Sequence, residues 1–210
     1  IILLQSMFAV TFTANRDSRW LYESLRFLFN HIEELDQPEF GSYFKDFLEI
    51  MAVRFAEGRL FTEEDMIKKY GDIPVYAFNF VDYILWKNRE ELGRKYKGIK
   101  FDQFKFAYRR SIEHWFPQHP NSDERVEKMD DQFLHSFGNL CIITDSQNSK
   151  FGNLVPSAKY KQWEGIFDRQ SLKLQIMASI TEKTKWESDQ IKGLEKEILP
   201  MVKKFIGSKL

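Results

Sequence analysis

One stretch of the chain departs from helical spacing, and it limits the fold to a helical body carrying a very small sheet. In FDQFKFAYRRSIEHWFPQ, after Gly98, Phe101, Phe104, Phe106 and Tyr108 alternate imperfectly against polar residues, the pattern of a strand running into a site. The polar stretch HPNSDERVEKMDDQ follows, then NLCIITD, a short β-branched run. Next come the turn-rich QNSKFGN and a helical pattern from about Pro156 through KYKQWEGIFDRQ. The order is strand, loop, strand, helix.

Everything on either side reads as helix. From Asp17 to Leu35 the residues Trp20, Leu21, Leu25, Leu28, Phe29 and Ile32 recur at three and four, one apolar face, with Asp17 or Ser18 as its cap. A second helix is expected from about Phe40 to Ala56, ending near Gly58. A third is expected from Thr62, with Asp65 in capping-box spacing, and a fourth after Pro74 through AFNFVDYILWKN. The tail from Ser171 to Leu210 is helical again, interrupted at Gly193 and Pro200, with Ile191, Leu194, Ile198 and Leu199 spaced to pack on a neighbour. The fold class is therefore α+β, predominantly helical. It divides into a helical region 1–100, a central motif 101–170 and C-terminal helices 171–210.

Composition narrows the function. A chain of 210 residues with 20 Phe and 5 Trp has the length and the aromatic content for a packed core without disulfides or a structural metal. Lys plus Arg and Asp plus Glu both number 31, so no bulk charge draws the chain to nucleic acid or to an anionic membrane; a polyanion must be held by a local site. Lone Cys141 excludes a disulfide framework and a cysteine-rich zinc cage and suits a reducing, cytoplasmic setting. The opening IILLQSMFAV is too short to span a bilayer and lacks the basic flank of a signal peptide; it reads as part of a buried helix in a longer protein.

Chemistry concentrates where the first strand ends. Glu113 and His114 are adjacent, just before Pro117; Asn139 opens the next strand and Asn148 lies in the loop beyond it. A carboxylate suits a hard divalent cation, and a neutral imidazole takes a proton from water, which together are the minimum for metal-assisted hydrolysis. Asn148 offers the same ion a neutral carbonyl oxygen, with Asn153 as the lesser candidate, while Asn139 has the groups to hydrogen-bond the backbone around His114 and shape the hairpin mouth. Arg109, Arg110, Lys150, Lys159 and Lys161 gather near the hairpin as possible backbone contacts for DNA, against the acidic run Asp123, Glu124, Glu127, Asp130 and Asp131. His119 and His135 are expected to face solvent, and His31 to be a packing residue.

The run SIEHWFPQ followed by FGNLCIITDSQNSKFGNLVPSAKY resembles the HNH nucleases of ββα-metal fold. More narrowly, FNFVDYILWK, a Phe-rich strand, SIEHWFPQ, the GNL strand and the segment NSKFGNLVPSAK resemble the C-terminal nuclease half of GmrSD-type, modification-dependent restriction proteins. The resemblance implies a small ββα-metal hairpin-plus-helix core inside the helical bundle. It implies a metal-dependent DNA endonuclease of restriction or phage defence, with His114 as general base, Asn139 as the structural residue of the hairpin, and Glu113 and Asn148 as metal ligands. Lys159, and with it Arg110, would meet a phosphate. Glu in place of the commoner Asp lengthens the acidic ligand by a methylene, and a final Asn in place of His favours Mg²⁺ or Mn²⁺. Modified or phage DNA would be the partner, together with an upstream NTP-hydrolysing domain or subunit of the ParB-like kind, since no Gly-rich phosphate loop occurs here. The competing expectation is a catalytically inactive helical interaction or structural module with a degenerate nuclease motif. Cleavage of RNA is a third expectation, for which the residues offer no test.

Overall fold

The computed structural model describes residues 1–13, 18–63, 66–121 and 128–210. Its first half is helical: α1 (Ile2–Thr11), α2 (Arg19–Asn30), α3 (Phe40–Ala56), α4 (Val75–Lys87) and α5 (Arg89–Lys95). Pro74 stands at the N-cap of α4, where its missing N–H costs nothing. Every residue from Tyr76 to Leu85 is buried, so α4 has no solvent face along that length and serves as the axis of the molecule.

The second half supplies β1 (Ser111–His114), α6 (Asp131–Leu134), β2 (Leu140–Ile143), α7 (Asp145–Phe151), α8 (Pro156–Trp163), α9 (Leu172–Lys183) and α10 (Ser188–Gly207). The fold is α+β and mostly helical. β1 and β2 pair antiparallel in the register Ser111↔Ile143, Ile112↔Ile142, Glu113↔Cys141 and His114↔Leu140. Two strands of four residues are marginal alone; these are held because β2 is buried throughout and packs on α4 and α9. α4 also packs against α1, α3 and α10, and one apolar cluster runs from Leu4 to Phe205 through all three regions of the chain.

Several expectations change on the structure. The alternating Phe segment is not a strand: Phe101–Gln103 forms a 3₁₀ turn and pairing begins only at Ser111, although Phe101, Phe104 and Phe106 are buried. QNSKFGN is not a loop, because Thr144 and Gln147 form a reciprocal capping box that starts α7, which places Asn148 on a helix. The described residues after Thr62 are not helical; Phe61 bridges Ile67, and the Thr62 N–H donates to the Met66 carbonyl. Asp65 and Asp17 lie outside the described residues, and Ser18 occupies the N-cap position of α2. The C-terminal break falls at Thr184 to Glu187, where buried Trp186 turns inward, while α10 continues through Gly193 and Pro200. The burial of Ile191, Leu194, Ile198, Val202 and Phe205 offsets the roughly 3 kcal/mol that an interior proline costs.

α2 is rotated from its expected seat. Phe27 inserts among the rings of Phe40, Tyr43, Phe44 and Phe47 on α3, with its centroid 4.1 Å from that of Phe47. This turns Leu21, Leu25, Phe29 and Ile32 to solvent, Phe29 being 75 % exposed.

One buried carboxyl sits on α4, the axis of the fold. Asp82 on α4 is buried and its Oδ1 accepts from the Lys173 N–H at 2.9 Å, in the first turn of α9, while Ser171 caps the same turn by accepting from Leu174. Burial raises Asp82 to about 7, against the lowering effects of that N–H and of Arg109. A carboxyl raised on folding adds stability that is complete below its unfolded pKa, near 4, and is lost as pH rises through about 7. Asp82→Asn keeps the acceptor without the charge. Thermal or urea unfolding from pH 4 to 8 is expected to show the variant gaining on the parent as pH rises, by on the order of 4 kcal/mol at pH 8. A constant difference across that range would place the titration elsewhere.

Candidate functional site

The site is built at the end of β1. Adjacent residues of a strand point to opposite faces, and Glu113 and His114 separate accordingly. Glu113 turns to α8, where its Oε1 accepts from Lys159 Nζ at 2.6 Å; the same ammonium donates to the carbonyls of His114 at 2.6 Å and Trp115 at 2.9 Å. Lys159 has no exposed surface, and three acceptors match its three N–H groups. Burial pushes Lys159 down and Glu113 up, and each resists the shift through the charge of the other. The three short bonds are those of an ammonium.

His114 turns the other way, to a face that the sequence did not bring forward. Its Nε2 lies 3.1 Å from Nδ1 of His135, and the Tyr70 ring lies 4.4 Å from it, centroid to centroid. Tyr70 also stacks on His135 and donates its backbone N–H to the His135 carbonyl at 3.0 Å. His114 is 6 % exposed. Burial first, then His135 and Lys159, lower it to about 4, so the ring is neutral at physiological pH and carries one basic nitrogen. His135, expected to face solvent, is half-buried against it, whereas His119 is exposed. A histidine in a polar loop and a tyrosine from an upstream segment carry no spacing signal, so only the fold reveals them.

Asn139 closes the mouth of the hairpin. Its Oδ1 accepts from the Phe116 N–H at 2.9 Å and from Trp186 Nε1 at 3.1 Å, and its Nδ2 donates to the carbonyls of Phe116 at 3.0 Å and Leu134 at 2.9 Å. The backbone adds a bond from the Trp115 N–H to the Asn139 carbonyl at 2.8 Å. A buried amide with both donors and both acceptor positions in use is rigid. A second buried lysine, Lys173, donates to the carbonyls of Phe137 and Leu140 on the β2 side. Gly138 is pressed against α10: a Cβ there would meet the Ile191 carbonyl oxygen at 2.4 Å, and its N–H donates to Glu195.

The remaining expected residues do not join this cluster. Asn148 is exposed on α7 and Asn153 is exposed before α8. Arg110 is exposed and pairs with Asp145, 2.6 Å from Nε to Oδ2, while Ser111 donates to the other oxygen of the same carboxylate. That partner holds Arg110 above the ordinary arginine range and Asp145 below the ordinary carboxylate range. Arg109 is buried and donates to the Arg169 carbonyl. Lys159 is interior and its donors are used, so it presents no ammonium to a phosphate in this arrangement.

The residues expected to hold a divalent ion do not form a cradle as arranged. The Glu113 carboxylate is taken by an ammonium, its expected partner Asn148 lies on the surface, and no group of three His, Cys, Asp or Glu able to hold a metal occurs among the described residues. No helix among them is long and apolar enough to cross a membrane.

Removing Lys159 strands a buried carboxylate and two buried carbonyls. Lys159→Met is expected to cost about 3–5 kcal/mol, the scale for breaking one partner of a buried pair. The double variant Lys159→Met with Glu113→Gln is expected to recover about half of that in urea unfolding. Additive losses would deny the coupling.

The chain matches the family model of the C-terminal domain of GmrSD restriction endonucleases over residues 62–200, which spans α4 to most of α10 and includes the whole of this site. No curated protein and no solved structure gives a significant match. Tyr70, His114, His135, Asn139 and Lys159 all lie inside the matched span, and on that match the chain belongs to the GmrSD restriction endonucleases, as their C-terminal domain.

Proposed function

We propose that this domain is the DNA-cutting part of a restriction system, a phosphodiester hydrolase of the HNH kind in which His114 is the general base. The observation that carries the reading is a neutral, buried imidazole at the end of β1, fixed in a hairpin mouth that Asn139 clamps and that helices follow, in a chain of a restriction endonuclease family. The order strand, strand, helix and the run from Glu113 through Pro117 support a ββα core, with Asn139 as its structural residue.

In this mechanism a water oxygen attacks a DNA phosphorus. His114 takes the proton of that water, the new P–O bond forms, and the bond from phosphorus to the 3′ oxygen breaks; the departing oxygen leaves with a proton from solvent. A hydrogen-bonded base held in one rotamer spends little entropy on reaching the attack geometry. Mg²⁺ or Mn²⁺ belongs to the reading as the ion the resemblance implies. For Glu113 to hold it, Lys159 would have to release its carboxylate, and no step is routed through the ion. Arg110 would serve a phosphate only after leaving Asp145.

The wider setting is part of the same proposal: modified or phage DNA as substrate, recognition by an NTP-hydrolysing ParB-like domain or subunit, and a cytoplasmic site of action. One observation favours a second reading. Glu113 is engaged by Lys159, and an inactive structural module with a degenerate nuclease motif would keep such an arrangement.

Nicking of supercoiled plasmid separates the two, measured with Mg²⁺, with Mn²⁺ and with EDTA. His114→Ala is expected to keep the fold and to lower cleavage at least about a hundredfold, the scale for a positioned general base. Equal rates would remove His114 from the chemistry, and no nicking by the parent under any condition would favour the inactive module. With a net charge of zero, the domain alone is further expected to bind DNA weakly and with a shallow salt dependence. Submicromolar, modification-selective binding near 150 mM salt would place recognition within these residues.

A further inference from the structure

We infer that His135 is a positioning residue for His114, accepting a hydrogen bond from its Nε2–H and thereby leaving the basic lone pair on Nδ1. This rests on the reading of His114 as general base.

The geometry leaves two ways to share one proton between His114 Nε2 and His135 Nδ1, 3.1 Å apart. If His135 donates, neutral His114 must carry its own proton on Nδ1, and no lone pair is left for water. If His114 donates, Nδ1 is free and basic. When Nδ1 then takes the proton of the attacking water, the ring becomes an imidazolium. Its Nε2–H remains bonded to His135, which stabilises the charge as it forms. The partner of a catalytic base plays the same part wherever a third group orients that base.

Independent features hold His135 where this requires. Its carbonyl receives the Tyr70 N–H at 3.0 Å, and the Tyr70 ring stacks on its imidazole with 22° between planes. Its own backbone N–H is tied to the carbonyl of Asp131, the first residue of α6. Leu134, next to it, is fastened to Asn139 Nδ2, so the residue that shapes the hairpin mouth also places the loop that carries His135. His135 is half-buried, and its Nε2–H can be satisfied by water, which lets Nδ1 stay an acceptor.

The test uses the full chain with ¹⁵N-labelled histidine at pH 7.5. Imidazole nitrogen shifts report which ring atom carries the proton, and the His114 signals are those missing from His114→Gln. The parent is expected to show His114 protonated on Nε2. In His135→Ala that preference should collapse to a mixture, with kcat down about ten- to a hundredfold and KM within about twofold, the scale for losing a group that orients a functional histidine. His135→Asn, whose amide oxygen accepts from the same position, should restore both readouts, and it serves as the second variant if the alanine form is poorly folded. A parent ring protonated on Nδ1, or His135→Ala with unchanged tautomer and unchanged kcat, overturns the inference. A parent that cuts nothing defeats the endonuclease reading alone, because the nitrogen shifts still decide what His135 does.

Discussion

The structure depends on an ammonium group with no access to water. Lys159 reaches from α8 to the end of β1 and gathers the Glu113 carboxylate and the carbonyls of His114 and Trp115 around one charge. Taking that charge out of water costs several kcal/mol, and only full coordination by good acceptors repays it. The geometry is therefore demanding in a way that apolar packing is not. Lys173 repeats the device on the other strand, holding the carbonyls of Phe137 and Leu140. Between them the two lysines brace a sheet of two short strands, and they fix the backbone from which His114 projects.

Charge in this molecule is thus spent inward as well as outward. Equal numbers of acidic and basic residues give a neutral chain, yet Glu49, Asp82, Arg109, Glu113, Lys159 and Lys173 are all buried. Glu49 shows the same logic far from the hairpin: burial alone would raise it, but hydrogen bonds from Lys209, Lys87 and Tyr83 bring it down to about 2 and tie α3 to α4 and to the residues that follow α10. A basic residue counted from composition as a candidate for phosphate can equally be a structural cation.

The parts of this fold legible in the sequence were those written in local periodicity. α3, α4, the β2 run and the inward face of α10 all carry spacings that local rules decode, and short motifs single out His114 and Asn139, whereas Lys159, expected at a phosphate, lies in the interior. What escaped was tertiary. The pleat of β1 parted Glu113 from His114, which adjacency had suggested were one unit; the capping box at Thr144 turned an apparent loop into α7 and carried Asn148 with it; Phe27 chose the seat of α2 over a wider apolar face. Tyr70 and His135 come from segments without regular spacing and meet through the bond from the Tyr70 N–H to the His135 carbonyl and the stacking of their rings.

Gly138 carries a mechanical consequence. Side chains usually cushion a helix against its neighbour, since rotamers absorb an ångström of sliding at little cost. Here the cushion is missing: the backbone of Gly138 rests on the backbone of α10, and the next residue is the amide that sets the hairpin mouth. Small shifts of that helix are therefore passed to Asn139 undamped, as in a joint with no washer, and the position of a C-terminal helix becomes a coordinate of the site itself.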